Sequence, residues 1–180
     1  VISAYAINLE GATTTLVGVV VGGYALTQMI FQVPFGVISD KLGRKGTIVI
    51  GLILFIVGSL ICALSNDIWT LVLGRFLQGA GAIGAVVTAM ISDLVPEEKR
   101  PKAMALMGGS IAVAFAISML AGPTIGGYFG IESLFYITMV LGIVSIYVIL
   151  KKVPNPPKIT HTYNAKAKLN EVLGNANLIK

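Results

Sequence analysis

Five apolar stretches, Leu16 to Ser39, Thr47 to Ser65, Ile68 to Val95, Ala103 to Phe129 and Leu134 to Leu150, take up most of the sequence. Each comes close to, or exceeds, the roughly 20 residues an α-helix needs to cross a bilayer. A soluble domain of 180 residues has no interior large enough to hide several such runs. The charge content agrees: Asp, Glu, Lys and Arg make up 12% of the chain, about half of the roughly 25% usual in soluble domains. In lipid, backbone polar groups must be paired within a helix or around a closed barrel, and no run of about ten residues alternates as a barrel strand does. The expectation is an all-α membrane protein with five complete spans. Val1 to Leu9 reads as the tail of an earlier span, because nine residues cannot cross alone as a helix. Without a basic stretch before it, that tail is no signal peptide, and the chain reads as a fragment.

Lys and Arg orient the spans. The 40–46 loop holds Lys41, Arg44 and Lys45, the 96–102 loop holds Lys99, Arg100 and Lys102, and Lys151, Lys152, Lys158, Lys166, Lys168 and Lys180 follow the last span. The alternate loops carry Glu10, Asp67 and Glu132 and no base. Every loop agrees with one up-and-down topology in which 40–46, 96–102 and 151–180 are cytoplasmic. The net charge of +5 is thus a membrane-orientation signal rather than a nucleic-acid surface, since its bearers sit in short loops and not on one helix face.

The division that follows is a helical membrane region over 1–152 and a cytoplasmic linker over 153–180. Pro154, Pro156 and Pro157 hold the start of the linker extended. Leu169, Val172, Leu173 and Ala176 then recur at helical spacing and suggest a short amphipathic helix near the inner surface. The single cysteine, Cys62, lies within a span and allows neither a disulfide framework nor a Cys-based metal site. The lone His161 reads as a solvated linker residue, because a metal site needs several converging ligands. No nucleophile and base pair stands in the spans, so an enzyme is not expected, and neither is a metal or other cofactor.

Three stretches are chemically particular. In "GVISDKLGRK", Asp40 and Arg44 would share a face if helix continued through the turn, while Gly43 could supply the positive φ that closes a helix. A merely solvated turn is the alternative, as exposed ion pairs contribute little. In "LGRFLQGAGAIG", Arg75 is the only base inside a span, about a third of the way in from the outer face at 1.5 Å per residue. Burying it in lipid costs several kcal/mol, so it should meet a partner or a wet cavity unless it snorkels outward. In "GGSIAVAFAISMLAGPTIGG", Pro123 removes a backbone donor and should kink the helix, and its glycines expose the backbone for close helix approach. Polar residues inside the spans, Tyr24, Gln28 and Gln32 on one helix face with Gln78 and Thr88 on the fourth span, suit either a substrate or proton route or interhelical hydrogen bonding.

The spacing of Gly36, Asp40, Lys41, Gly43, Arg44 and Lys45 resembles motif A of the major facilitator superfamily, GxxxDKxGRK, which lies between the second and third helices on the cytoplasmic side. Arg75 and Gly79 resemble the RxxxG of motif B, and Gly109, Gly122, Pro123, Gly126 and Gly127 resemble motif C of the antiporter branch, with Ser118 where that pattern has glycine. The motifs fall in the family's order, and the resemblance covers nearly the whole chain. It implies the N-terminal six-helix half of a twelve-helix transporter of the drug:proton antiporter type, with most of the first helix missing. By the same resemblance, Asp40 and Arg44 form a conformational latch with Asp93 at the end of the fourth helix, Arg75 serves proton coupling, and the motif C glycines form a packing seam. The implied setting is the bacterial inner membrane, with a proton gradient as energy source and with lipid, a small-molecule substrate and the C-terminal half as partners. A sugar or metabolite facilitator or symporter on the same scaffold is the competing expectation, which Ser118 keeps open. A purely structural membrane anchor would need neither Arg75 nor the acid and base pair.

Overall fold

The computed structural model describes residues 2–154. Its helices are α1 (Ile2–Ala6), α2 (Thr14–Leu42), α3 (Arg44–Ala63), α4 (Ile68–Ala80), α5 (Gly84–Leu94), α6 (Arg100–Phe129) and α7 (Glu132–Lys152), with a short turn of 3-10 helix at Glu97–Lys99 before α6. No strand forms among the described residues, where Glu10 and Asp67 make an isolated bridge. Five segments, Thr14–Leu42, Arg44–Ala63, Ile68–Leu94, Glu97–Phe129 and Glu132–Lys152, are long and apolar enough to cross a membrane. The expected amphipathic helix of the linker and His161 lie outside the described residues.

The helix ends follow from local chemistry. Thr13 caps α2 by accepting from the Leu16 N–H at 3.3 Å, and Asp67 caps α4 by accepting from the Thr70 N–H at 2.9 Å. Both satisfy donors that a first helical turn leaves orphaned. The Thr70 hydroxyl also donates to Asp67 at 2.6 Å. That bond and then the backbone one hold the Asp67 carboxyl below the usual carboxylate range. This cap is therefore fully in place above the ordinary carboxylate pKa and is lost only as the pH falls through the depressed value.

Bases at the 40–46 and 96–102 loops close helix C-termini, where carbonyls lack partners and the macrodipole is negative. Arg100 donates to the Ser92 and Val95 carbonyls at the end of α5, at 3.1 and 3.3 Å. Lys45 donates from α3 to the Leu150 and Val153 carbonyls at the end of α7, at 3.0 and 3.1 Å. The residues that orient the chain in the membrane thus also terminate its helices. Lys45→Met keeps the aliphatic stem and removes the charge and donors. It should cost about 1 kcal/mol and speed hydrogen exchange at the end of α7 selectively; unchanged exchange there would refute the cap.

One expectation needs correction. The stretch from Ile68 to Val95 is not a single helix: it breaks at residues 81–83 into α4 and α5. The Gly81 N–H turns back to the Gln78 carbonyl at 3.3 Å and the Ile83 N–H to the Gly81 carbonyl at 2.8 Å. Glycine is a poor helix former, by about 1 kcal/mol relative to alanine, and here Gly81 lies against the Gly51 carbonyl of α3. Non-helical backbone at membrane depth is tolerated where protein buries it, and Ala82 is fully buried. By contrast, α6 continues through Pro123, and α2 through Pro34, without interruption.

α4 packs against both α2 and α3, and α3 also carries α7. Two core clusters result. One, toward the Asp67 end, centres on Val20, Cys62, Ile68, Leu71 and Phe135; the other, toward the Arg44 end, centres on Phe35, Ile48, Leu52, Val86 and Met90. Between them the α3 and α4 backbones touch, since a Cβ at Gly58 would sit 2.5 Å from the Gln78 nitrogen. α6 stands at the edge beside α5 and α7 and buries no residue.

Candidate functional site

Two polar constellations interrupt this apolar bundle. The first joins the α2–α3 turn to the end of α5. Gly43 ends α2 at φ 95°, a conformation that favours glycine, and α3 starts immediately at Arg44. The helix therefore does not continue through the turn, yet the change of direction still returns Arg44 to the end of α2. Its Nη1 lies 2.6 Å from Asp40 Oδ1 and donates to Ser39 Oγ at 2.5 Å, while its Nε donates to Asp93 Oδ2 on α5 at 2.8 Å.

Exposure ranks these contacts. The Arg44 and Asp93 side chains are 15% and 18% exposed, against 55% for Asp40. Removing one partner of a pair screened from water costs more than removing one of a solvated pair, because the other charge is left uncompensated, so the link from α3 to α5 is the costlier one to break. Lys41 is exposed and Lys45 serves the end of α7. Gly36 faces α5, where an added Cβ would reach 4.0 Å from that of Ala85. Ser39 was not among the sequence candidates. Its hydroxyl donates to the Gly36 carbonyl at 2.6 Å and so keeps a lone pair for Arg44; a small polar residue directly before Asp40 was its one signal.

The second constellation is inside the membrane. Arg75 on α4 does not snorkel outward. Its Nε donates to the Val20 carbonyl of α2 at 3.2 Å, its Nη1 donates to Gln78 Oε1 at 2.7 Å, and its guanidinium carbon lies 4.6 Å from the centre of the Tyr24 ring. A carbonyl, an amide and an aromatic face thereby replace water around the charge. Gln78 is buried, and its Nε2 donates to Ser59 Oγ of α3 at 2.8 Å. Gly79 permits the α2 contact, because a Cβ there would collide with Thr27 Oγ1 and the Tyr24 carbonyl.

Of the other polar candidates, Thr88 donates to its own helix at the Gly84 carbonyl at 3.0 Å. Gln28 is half-buried and Gln32 exposed, the latter with its Nε2 3.9 Å from where a Gly84 Cβ would lie. Tyr24 and Gln78 therefore act as interhelical contacts around Arg75, and Gln28 and Gln32 are left to line a surface. Ser59 too was missed by sequence reasoning; a lone hydroxyl beside a glycine in an otherwise apolar run was its signal.

Among the described residues, nothing packs against the glycine seam of α6 at Gly109, Gly122 or Gly127. An added Cβ at Gly109, Gly122 or Gly127 would meet no atom within 4 Å. Ser118 satisfies its hydroxyl on the Ala114 carbonyl at 2.8 Å, Gly126 is half-buried and Pro123 exposed. Only shallow, open depressions lie on this face, along Ala105, Gly109 and Val113 and beside Pro123 and Gly127.

Comparison with known proteins places this geometry. Residues 1–178 match the model of the Major Facilitator Superfamily. The chain is 44% identical, over all of its own length and 40% of the relative's, to the inner membrane transport protein YajR of Escherichia coli strain K12. It is 37% identical over 74% of its length to the class B tetracycline resistance protein of Escherichia coli, of which it covers 33%. To the riboflavin transporter RibZ of Clostridioides difficile strain 630 it is 31% identical over 76% of its length, covering 30% of that protein. The chain thus spans two fifths or less of these curated relatives. With membrane-length helices and a family match along nearly its whole length, this multi-pass membrane chain belongs to the Major Facilitator Superfamily of transporters.

Proposed function

We propose that the chain forms part of a proton-coupled exporter of a small molecule in the bacterial inner membrane, working by alternating access against a second set of helices. The observation that carries this reading is Arg75. A permanent positive charge held inside a span by Val20, Gln78 and Tyr24 biases the protonation of any acid brought near it. A structural anchor has no use for such a group at the cost it imposes.

The remaining features take roles in the same cycle. The Arg44 link to Asp93 holds one state of the cytoplasmic side and breaks in the other, as a bistable contact does. The open α6 face, with backbone accessible at Gly109, Gly122 and Gly127, suits close approach by a helix of the C-terminal half. Gln28 and Gln32 offer neutral amide donors and acceptors to a substrate. The energy source is the proton gradient, with no cofactor, and lipid surrounds the exposed apolar faces. Export is further supported by the likeness to tetracycline resistance proteins.

The test is transport by the full-length protein in proteoliposomes, against a compound panel, with and without an imposed pH gradient. Driven transport should vanish when an ionophore collapses the gradient; transport that persists refutes proton coupling. A metabolite carried without such coupling is the second reading, supported by Ser118 in the seam and by the likeness to a riboflavin transporter. The same assay separates the two.

A further inference from the structure

A guanidinium has five N–H donors and no acceptor, so its direction is set by the acceptors around it. One acceptor of Arg75 is ambiguous in isolation: a half-turn of the Gln78 amide would present NH2 instead of oxygen. The third helix removes the ambiguity. Ser59 is fully buried, and its single hydroxyl proton donates to the Phe55 carbonyl at 2.8 Å. The oxygen is left as an acceptor, and it takes the Gln78 Nε2 proton at 2.8 Å. Gln78 Oε1 is thereby turned to Arg75 Nη1 at 2.7 Å.

We infer that Ser59 is a positioning residue for Arg75, acting through Gln78 to hold the guanidinium against α2 and so to set how tightly proton movement is coupled to transport. Two further observations carry this. Backbone contact at Gly58, where a Cβ would fall 2.5 Å from the Gln78 nitrogen and 2.8 Å from the Gly74 carbonyl, prevents Ser59 from drifting off Gln78 unless α3 and α4 separate. On the same face of α3 the residues one turn away are Phe55, Ile56, Cys62 and Ala63; of these Cys62 alone carries a polar side-chain atom, and its Sγ is directed to the Leu71 carbonyl at 3.9 Å, so Ser59 is the side chain that takes the Gln78 proton. The inference rests on the proton-coupled reading of Arg75 and extends it to a residue outside the three sequence motifs.

The experiment compares gradient-driven transport with gradient-free exchange of one substrate across a pH series, in the full-length transporter reconstituted as wild type, Ser59→Ala, Gln78→Leu and the double variant. The ratio of driven transport to exchange should fall about tenfold in Ser59→Ala, the loss expected for one hydrogen bond serving a charged group, with a displaced pH profile. The double variant should be no worse than Gln78→Leu, because Ser59 acts only through Gln78. If Ser59→Ala fails to assemble, Ser59→Cys, similar in volume and a poor acceptor, carries the same expectation. A wild-type ratio and pH profile in the Ser59 variant, or additive losses in the double variant, would overturn the inference. A wild type indifferent to the gradient overturns the proton-coupled reading, and this inference with it.

Discussion

Arg44→Ala should destabilise the contact between α3 and α5 by about 2 kcal/mol, between the values for exposed and fully buried pairs, and should abolish most transport in the full-length protein at normal expression. The reason lies in what is left behind. Asp93 is 18% exposed and loses the Nε–H that pairs it, Ser39 loses its donor, and α3 is no longer tied to α5. Asp93→Asn should cost nearly as much, whereas Asp40→Asn should cost less than about 0.5 kcal/mol, because Asp40 is 55% exposed and its charge is already solvated. Thermal unfolding of the three variants checks that order, and a pulsed-EPR distance between labels at the exposed Lys41 and Leu94 checks the opening. Equal losses for Asp40→Asn and Asp93→Asn would sink the assignment of the α3 to α5 pair as the dominant contact, and retained turnover in Arg44→Ala would remove the latch.

Gly79→Ala should be the most damaging Gly→Ala change among the described residues. The new Cβ meets the Tyr24 carbonyl, which is backbone and cannot rotate away, as well as Thr27 Oγ1. Relief requires α4 to back off α2, and one turn earlier on α4 the same movement lengthens the Arg75 bond to Val20 and lifts the guanidinium off Tyr24. Overpacking of this kind costs about 1–3 kcal/mol, and gradient-driven transport should fall with it. Gly109→Ala is the control: its Cβ meets nothing within 4 Å, so the isolated chain in detergent should gain up to about 1 kcal/mol in helix propensity. Melting temperatures moving in opposite directions are expected. A neutral Gly79→Ala would mean that α2 and α4 are not in backbone contact there.

The Asp40, Arg44 and Asp93 cluster was legible in part: type and position marked its charges, and the family resemblance, not the residues alone, joined Asp93 to the other two. Asp40 and Arg44 are charged in a loop between apolar runs, and Asp93 ends another. The Arg75 partners were less legible. A carbonyl such as that of Val20 leaves no trace in sequence, since every residue has one, and Gln78 looks the same whether it lines a cavity or ties helices together. The α6 glycines gave the opposite difficulty: their spacing advertises a seam, yet within the described residues nothing fills it.

Sequence alone determined the number of membrane-length spans, because hydrocarbon thickness demands a fixed length of apolar helix, and it set the expectation for their sides, because Lys and Arg resist transfer across it. These are one-dimensional constraints, and a one-dimensional string expresses them fully. Tertiary structure decided that the Ile68–Leu94 span breaks at residues 81–83, that Arg44 has Asp93 rather than Asp40 as its sheltered partner, and that Gln78 bridges Ser59 and Arg75. Each of those outcomes depends on which backbone lies within hydrogen-bond or van der Waals reach across helices. That proximity is set by packing at Gly51, Gly58 and Gly79, and it exists only once the helices have met.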